Sequence, residues 1–436
     1  MELLIAFILF IAAMAVSLWL GITMLIPLGI GFVLFALAAL RRGFTIRQLL
    51  GFAAGSFKDS LIVIRVLLII GCLTGSWRQC GTVAYFVSAG ISVIPPALFL
   101  PAVFLLSAAM SYAIGTSFGV TATAGVILMT IARAGGASPV LAAGAVMSGV
   151  YVGDRGSPAA SSGNLVAALT RTDMRDNVKK MLLCSLVPFL VTLLLYAALS
   201  LIYPVESIDT AVPELLGSEF TLSAFCLIPP VLMIALPFCG LKVRLSMLVS
   251  LIASCAVGVF VQKAPLIDCL RAMLLGYEAK TPALASMVSG GGILSMLEVC
   301  AILLISGTYG GIFRGTGMLE GVNRKLTSLT KRIGRFPVMI LLSLGSCGLF
   351  CNQTIGAIMV DQLSAPLYGE DEASERMLDM ENSVILLAGL VPWCIASSVP
   401  LSMLGAGVSA LPFSFYLWLV PLWWLIRSPK HPSKVP

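Results

Sequence analysis

Residues 3–40 read LLIAFILFIAAMAVSLWLGITMLIPLGIGFVLFALAAL and contain no charged side chain. An α-helix of about 20 apolar residues is long enough to cross the hydrocarbon core of a bilayer. This stretch is therefore too long for one crossing, and it predicts two consecutive transmembrane helices that turn near Gly21. A basic segment, residues 41–47, follows directly after it.

The rest of the chain repeats this pattern of apolar runs separated by short polar segments. Of its 436 residues, 59% are hydrophobic and only 11% are charged, whereas a soluble domain carries about 25% charged residues. A surface this apolar would be unstable in water, so we predict an all-α polytopic membrane protein whose solvent is lipid. The net charge of +7 does not indicate nucleic-acid binding, because the basic residues lie in short clusters between apolar runs.

The charged segments alternate in a way that predicts the topology. Lys and Arg are concentrated in residues 41–47, 171–180, 323–335 and 427–434, whereas residues 204–219 contain four acids and no basic residue. Basic loops remain in the cytoplasm. We therefore expect a multi-pass protein of the bacterial inner membrane, with both termini in the cytoplasm and the acidic segment outside. A homodimer is compatible with the sequence.

Two pairs of segments resemble each other at the same spacing of 236 residues. Residues 77–83 (WRQCGTV) resemble 313–319 (FRGTGML), and residues 115–117 (GTS) align with 351–353 (CNQ). The loop charges place the related segments in opposite orientations, which is the inverted repeat found in many secondary transporters. The prediction is a first repeat at 1–205, an extracytoplasmic linker at 206–219 and a second repeat at 220–436.

Four stretches interrupt apolar sequence with Gly, Pro and small polar residues: 111–123, 148–164, 347–356, and 381–383 together with 391–398. Backbone groups freed from a helix must be satisfied by protein or by a polar cavity when they lie within a membrane. These stretches therefore predict discontinuous helices and re-entrant hairpins around a transport site. The alternative is that the small residues only allow close packing between helices.

Three acids are candidates for proton or cation coupling: Asp154, Glu298 and Glu381. The first two lie within apolar sequence, whereas Glu381 borders a more polar span and could instead be interfacial. A charge at the centre of a bilayer costs roughly 2.5 to 3.5 kcal/mol, so it is usually functional or paired. Asp154, together with Arg155, could instead form a loop at the cytoplasmic rim. Glu298 could instead pair with a basic residue such as Arg65.

The polar groups of the four stretches give the candidate ligands of the transported ion or solute: Thr116, Ser117, Asp154, Ser157, Ser161, Asn164, Asn352, Gln353, Thr354 and Ser397. The 11 cysteines are scattered and the single histidine is in the C-terminal tail. Zinc sites need converging Cys and His ligands, so we expect no cofactor and no metal ion other than a transported Na⁺.

The motifs resemble the NhaC-type sodium/proton antiporter family, which also includes malate/lactate exchangers. The family patterns G-T-S-W-G-T and G-D-K-x-S-P-L-S-D-T-T-N are similar to residues 115–120 (GTSFGV) and 153–164 (GDRGSPAASSGN), and two shorter elements correspond to 291–296 (GGILSM) and 392–397 (PWCIAS). The resemblance implies an ion-coupled exchanger in which Asp154, Ser157 and Asn164 keep the family's residue types. Ser161 stands where the family has a second acid, and Arg155 where it has Lys.

Two transport functions remain open. In the first, a cation and a proton compete for Asp154, as in a Na⁺/H⁺ antiporter. In the second, Arg155 and helix N-termini hold the carboxylate of a small organic acid or amino acid, and the missing acid at Ser161 favours this alternative. A membrane enzyme is disfavoured because there is no His-Glu-x-x-His motif and no histidine in an apolar segment. Broken, paired helices are more typical of a transporter that works by alternating access than of a channel.

Overall fold

The computed structural model describes residues 2–20, 22–93, 95–203, 211–241, 243–316 and 323–428. Within these residues the chain is helical, apart from turns and one antiparallel bridge between Tyr277 and Gly290. The prediction of an all-α protein is confirmed.

The described residues of the first half form ten α-helices. They are α1 (Glu2–Leu20), α2 (Leu25–Arg41), α3 (Ile46–Gln79), α4 (Thr82–Val93), α5 (Phe99–Ile114), α6 (Ser117–Val120), α7 (Val126–Ala134), α8 (Pro139–Gly156), α9 (Ser161–Thr170) and α10 (Met174–Ile202). A π-helical turn at Thr121–Gly125 joins α6 to α7 without a break.

The described part of the predicted linker is a short helix, α11 (Ala211–Glu219). The helices of the second half are α12 (Ile228–Phe238), α13 (Val243–Phe260), α14 (Leu266–Leu275), α15 (Pro282–Val288), α16 (Leu297–Thr316), α17 (Asn323–Ile333), α18 (Arg335–Phe350), α19 (Gln353–Ser364), α20 (Ala373–Glu381), α21 (Val384–Leu387), α22 (Ile395–Leu404) and α23 (Phe415–Arg427).

The uncharged N-terminal stretch forms the predicted helical pair, although the turn at Gly21 lies outside the described residues. Aromatic contacts hold α1 and α2 together: the ring centroids of Phe7 and Phe35 are 5.5 Å apart. Phe35 also packs on Phe313 of α16, at 5.0 Å. The pair is therefore anchored to the second half of the chain.

Among the residues that the structure describes, three helical stretches are long and apolar enough to cross a membrane: Ser117–Ala134, Met174–Ile202 and Ile293–Phe313. A fourth span results if Ala373–Leu390 and Ile395–Leu404, which meet at a bend of 49°, are counted as one. The described residues also include seven shorter apolar helices. By length and composition, these helices are suited to a lipid environment.

Helices end inside all four of the interrupted stretches. In the first, α5 ends before Gly115, which has a φ of 75°, and Thr116 then precedes α6 in extended conformation. In the third, α18 ends before Cys351, which has a φ of 53°, and Asn352 precedes α19 in the same extended conformation. The second and fourth stretches contain the ends of α8 and α20.

The two hairpins α5–α6 and α18–α19 have matching helix boundaries. Helix α5 begins at residue 99 and α18 at 335, and the two helices end at 114 and 350. Helices α6 and α19 begin at 117 and 353. All three pairs of positions are 236 residues apart, which is the spacing of the sequence echo.

Helices α5 and α8 pack so closely that their backbones nearly touch. A Cβ atom added at Gly153 would lie 2.0 Å from the carbonyl carbon of Ser111, and one at Gly149 would lie 2.6 Å from the carbonyl oxygen of Phe104. Ser111 Oγ donates a hydrogen bond to the carbonyl oxygen of Val150. The C-terminal turn of α8 is thereby held against the tip of the first hairpin.

Candidate functional site

The Asp154 carboxylate lies in the last turn of α8 and is only 4% exposed. Nε2 of Gln353, the first residue of α19, donates a hydrogen bond to Asp154 Oδ2 at 3.2 Å and another to the carbonyl oxygen of Ile385 at 2.9 Å. Ser117, the first residue of α6, lies close to the same carboxylate. Residues at the tips of both hairpins therefore meet at Asp154.

Asp154 and Arg155 do not form the alternative loop, because both are buried and lie in the last turn of α8. The helix ends two residues after Asp154, at Gly156. Ser157 is then extended, and its Oγ accepts a hydrogen bond from the Ala159 backbone N–H at 3.1 Å. Asn164 Nδ2 donates to the carbonyl oxygen of Ala160 at 2.7 Å. Ser157 and Asn164 thus stabilise the break between α8 and α9.

Arg155 is 1% exposed and its guanidinium is directed at protein acceptors. Its Nη2 donates to Asn382 Oδ1 at 2.6 Å, and its Nη1 donates to the carbonyl oxygen of Met181 at 3.2 Å. Tyr416 Oη is 3.4 Å from Nη1. Arg155 therefore ties α8 to α10, α20 and α23, and these contacts do not support its expected role as a ligand for a substrate carboxylate.

Glu381 is the last residue of α20 and is 1% exposed. Its Oε2 atom is buried without a hydrogen-bond partner among the described residues, and the same holds for Nε of Arg155. Since its neighbour Asn382 binds Arg155 directly, Glu381 belongs to the same buried cluster as Arg155 and Asp154.

Two polar residues, Thr116 and Asn352, act as helix caps, whereas Ser397 lies within the first turn of α22 and only donates to carbonyl oxygens. Thr116 Oγ1 accepts from the Gly119 backbone N–H at 3.4 Å, and Asn352 Oδ1 accepts from the Thr354 backbone N–H at 2.9 Å. Ser397 Oγ donates to the carbonyl oxygens of Val391 and of Cys394 at the start of α22. These caps fix the half-helix N-termini that border the site.

Four expected site residues are not gathered around the buried carboxylate. The side chains of Ser161, Asn164 and Thr354 are exposed, on helices α9 and α19 that pack against each other. Glu298 is also exposed, and its Oε1 accepts a hydrogen bond from Thr23 Oγ1 at 2.5 Å. Glu298 and Arg65, both described, form no ion pair. An acid in the first turn of a helix is stabilised by the helix dipole, which explains Glu298 without a role in coupling.

Two residues of the cluster were not among the predicted ligands. Ser162 Oγ donates to the carbonyl oxygen of Asp154, and Asn382 accepts from Arg155. Ser162 and Asn382 are the sequence neighbours of two predicted site residues, Ser161 and Glu381. Their position beside a helix break was therefore the signal that could have identified them as site residues.

Residues 115–119 (GTSFG) have the G-x-S-x-G spacing of a serine hydrolase motif. The only histidine, His431, lies outside the described residues and in the tail, so the motif lacks a base within the apolar segments.

A cavity of about 740 Å³ lies apart from Asp154, lined by residues that include Glu219, Lys263, Arg271 and Tyr277. Glu219, at the end of the linker helix, accepts hydrogen bonds from Tyr277 Oη at 2.5 Å and from the Lys280 backbone N–H at 2.8 Å. Burial by itself would raise the pKa of Glu219, but these hydrogen bonds outweigh it and lower the pKa below its usual value. Helix α11 is thus fastened to the second half of the chain by hydrogen bonds that favour the ionised form of Glu219.

The chain is similar to known antiporters along most of its length. The model of the Na⁺/H⁺ antiporter family matches residues 149–426. A malate-2H⁺/Na⁺-lactate antiporter of Bacillus subtilis is 26% identical over 88% of this chain and 83% of its own length. A Na⁺/H⁺ antiporter NhaC of Alkalihalophilus pseudofirmus is 26% identical over 84% and 81%. An arginine/ornithine antiporter of Halobacterium salinarum is 26% identical over 87% and 81%.

Proposed function

The chain belongs to the Na⁺/H⁺ antiporter family and is an ion-coupled secondary transporter, and we propose that a cation and a proton compete for the carboxylate of Asp154. The observation that carries this proposal is the burial of Asp154 between the tips of two hairpins. A buried carboxylate is costly unless it binds a counter-ion or a proton. Binding of a cation or of a proton lowers the cost of burying this carboxylate, and each of them prevents the other from binding.

The neighbouring groups suit a small hard cation. Ser117 and Gln353 contact the carboxylate and carry neutral oxygen atoms, and the hairpin tips present backbone that is free of helical hydrogen bonding. Oxygen ligands of this kind suit hard cations. On one side of the membrane, Asp154 would lose a proton and bind a cation. When the site then opens to the other side, the cation would leave and a proton would replace it, which is exchange.

The same proposal includes an inverted repeat with re-entrant hairpins, divided at residues 1–205, 206–219 and 220–436. Two observations support this repeat. The matching helix boundaries are equally spaced, and the charged segments near the starts of α5 and α18 are of opposite sign. The Leu100 backbone N–H, at the start of α5, reaches Ser200 Oγ at the acidic-linker end of α10. Helix α18 begins at Arg335, directly after the basic segment 323–335. The hairpins would then enter the membrane from opposite sides, as in alternating access.

The proposed location is the bacterial inner membrane, with both termini in the cytoplasm, lipid as the surrounding partner and a homodimer compatible with the fold. The basic segments and the acidic linker support this orientation. A cysteine placed in the tail of a cysteine-depleted protein should react only with reagents that reach the cytoplasm. Labelling from the outside by an impermeant reagent would refute the orientation.

Exchange of a small organic carboxylate or an amino acid is the second candidate. It is favoured by the names of two relatives, the malate-2H⁺/Na⁺-lactate antiporter and the arginine/ornithine antiporter, and disfavoured by the protein contacts of Arg155. The change Ser161→Asp separates the candidates by restoring the family's second acid. Ser161 is exposed at the start of α9, but its neighbour Ser162 contacts the carbonyl oxygen of Asp154, so a carboxylate there would lie at the border of the site. A stronger dependence on Na⁺ supports the cation site, whereas an unchanged Na⁺ response with loss of malate or lactate uptake supports the organic substrate.

The proposal is tested by transport in proteoliposomes with a preset pH gradient. Asp154→Asn keeps the size of the side chain and removes its titration, so we expect folded protein with at least about 100-fold slower ²²Na⁺ exchange, as for loss of an essential charge. Asp176→Asn, at an exposed site on α10, is the control and should exchange normally. Wild-type exchange by Asp154→Asn with unchanged pH dependence would contradict the proposal.

A further inference from the structure

The exposed faces of α9 and α19 lack the large apolar side chains that a lipid-facing helix presents. The exposed residues are Ser161, Asn164 and Ala168 on α9, and Thr354 and Gln362 on α19. Residues three, four, seven or eight positions apart lie on one side of a helix, so each set forms a single face. Helix α10, in contrast, exposes mainly Leu and Val between residues 182 and 194. Amide and hydroxyl groups are costly in lipid, so the faces of α9 and α19 are suited to water.

Both polar faces begin beside Asp154. Ser162 Oγ, on α9, donates a hydrogen bond to the carbonyl oxygen of Asp154, and Ser161 precedes it. Gln353 Nε2, on α19, donates to Asp154 Oδ2 at 3.2 Å, and Thr354 follows it. Each face therefore begins one residue away from a contact of the buried carboxylate.

Arg376 of α20 joins the far ends of the same two helices. Its Nη2 donates to the carbonyl oxygen of Leu169 at 2.9 Å and lies 2.8 Å from Asp361 Oδ1. Leu169 follows Ala168 on α9, and Asp361 precedes Gln362 on α19. Helices α9 and α19 thus share partners at both ends and run side by side. The 10 residues of α9 span about 15 Å, which is roughly half of a bilayer core.

The tip of the first hairpin lies directly on the break where α9 begins. A Cβ atom added at Gly115 would lie 2.5 Å from the carbonyl carbon of Ala159. The chain turns back at this tip into α6, whereas α9 continues to Thr170, next to the basic segment 171–180. The first hairpin therefore covers Asp154 from its own side and leaves the polar face of α9 open.

The counterparts of the two polar faces, at the spacing of 236 residues, are buried. Ser161 corresponds to Ser397, which is 0% exposed, and Gln362 corresponds to Val126, which is 4% exposed. No residue between 117 and 134, the stretch that includes the counterpart of α19, is exposed. In the proposed inverted repeat these counterparts lead from the site to the opposite side of the membrane. The two sides of the site therefore differ in their access to solvent.

Building on the proposed exchange at Asp154 and the proposed orientation, we infer that this structure is the state open to the cytoplasm. The polar faces of α9 and α19 form an aqueous path along which protons and hydrated monovalent cations reach Asp154. The basic segment at the end of α9 places the mouth of this path in the cytoplasm. The opposite path is closed, because the helices that would form its walls are buried.

The test is the rate at which single cysteines in a cysteine-depleted protein react with a small, positively charged, membrane-impermeant methanethiosulfonate. Inverted and right-side-out vesicles give the reagent access to one side at a time. Ser161→Cys, Ala168→Cys and Gln362→Cys should react from the cytoplasmic side. We expect rates at least about 10-fold above those of the control cysteines, because the reactive thiolate is scarce in apolar surroundings.

Two control positions separate water from lipid and from the protein interior. Ala167→Cys adjoins a path position on α9, but residue 167 is only 6% exposed. Leu183→Cys is on α10, where residue 183 is 73% exposed on the leucine-rich face. Both cysteines should react slowly, and a cysteine in the C-terminal tail marks the cytoplasmic side.

The inference is overturned if the path cysteines react no faster than the two controls, or if they react from the side opposite to the tail cysteine. Ser161→Cys and Gln362→Cys are on different helices, so either one decides the matter if the other variant does not fold. Labelling is repeated in Asp154→Asn, because access to the path requires no titration of Asp154. Rapid labelling with normal exchange in that variant would refute the proposed site and leave the path, whereas slow labelling with lost exchange would do the reverse.

Discussion

At the scale of single residues, the position of Asp154 depends on the glycine that precedes it. Gly153 faces the backbone of Ser111 at a distance that leaves no room for a side chain. This contact lets the last turn of α8 reach the tip of the first hairpin, where Ser117 meets the carboxylate. A larger residue would push the two helices apart and move Asp154 away from its partners.

We therefore expect Gly153→Ala to impair both folding and exchange. Its Cβ would lie 2.2 Å from the carbonyl oxygen of Ser111, and overpacking of this kind typically costs about 1 to 3 kcal/mol. Gly156→Ala is the matched control on the same helix, because its Cβ would meet nothing closer than Leu182 at 4.0 Å. Thermal unfolding in detergent and ²²Na⁺ exchange should separate the two variants. Equal stability and equal exchange would show that the close approach is unimportant.

Single site residues could be predicted from the sequence where their residue type is energetically costly in its surroundings. Asp154 and Gln353 were singled out because a charge and a helix break are unusual in apolar sequence, and the structure brings them together. Glu298 was singled out on the same ground and lies exposed on the first turn of α16. Apolar neighbours along the chain show that a residue lies in or near the membrane. They do not show which face of a helix it occupies.

At the scale of elements, the two hairpin tips share one local design. In each, a residue with positive φ ends the first helix and an extended residue with a capping side chain begins the second. Gly115 takes the first position without strain, whereas Cys351 adopts it at a cost of roughly 1 kcal/mol or more. The cap then aims the N-terminus of α6 or α19 at Asp154.

The cap of the second hairpin gives a direct prediction. Asn352 Oδ1 accepts from the backbone N–H groups of Thr354 and Ile355, at 2.9 and 3.2 Å. Asn352→Ala should lower the free energy of unfolding by about 1 kcal/mol and slow exchange, because Gln353 is the next residue. Asn352→Ser keeps a capping oxygen and should restore most of both. If Asn352→Ala were as stable and as active as the wild type, the cap would not position the site.

The sequence predicted where helices are interrupted more accurately than where each one ends. The stretch 148–164 predicted a break close to Asp154, and α8 ends two residues beyond it, at Gly156. The reason is Pro158: the residue before a proline is excluded from the helical region, and Ser157 accordingly has a ψ of 138°. Glycines 153 and 156 are tolerated because they face a neighbouring backbone and the helix end. Sequence alone does not reveal those neighbours.

At the scale of the whole molecule, the site is built from both halves of the chain. Asp154, Arg155 and Ser117 come from the first half, and Gln353, Glu381 and Asn382 from the second. Relative movement of the halves would therefore change the surroundings of Asp154, as alternating access requires. The membrane environment and the helical fold followed from composition. The identity of the partners that meet at the centre required the structure, because they are about 200 or more residues apart.

The most direct test of competition at one carboxylate is the release of protons when a cation binds. Purified protein in weakly buffered detergent solution is titrated with NaCl, against choline chloride as the control for ionic strength. At a pH where Asp154 is protonated, we predict release of about one proton per protein, because cation binding requires the deprotonated ligand, and no release from Asp154→Asn. Release of the same size from Asp154→Asn, or saturable Na⁺ binding by the wild type without any release, would contradict the account.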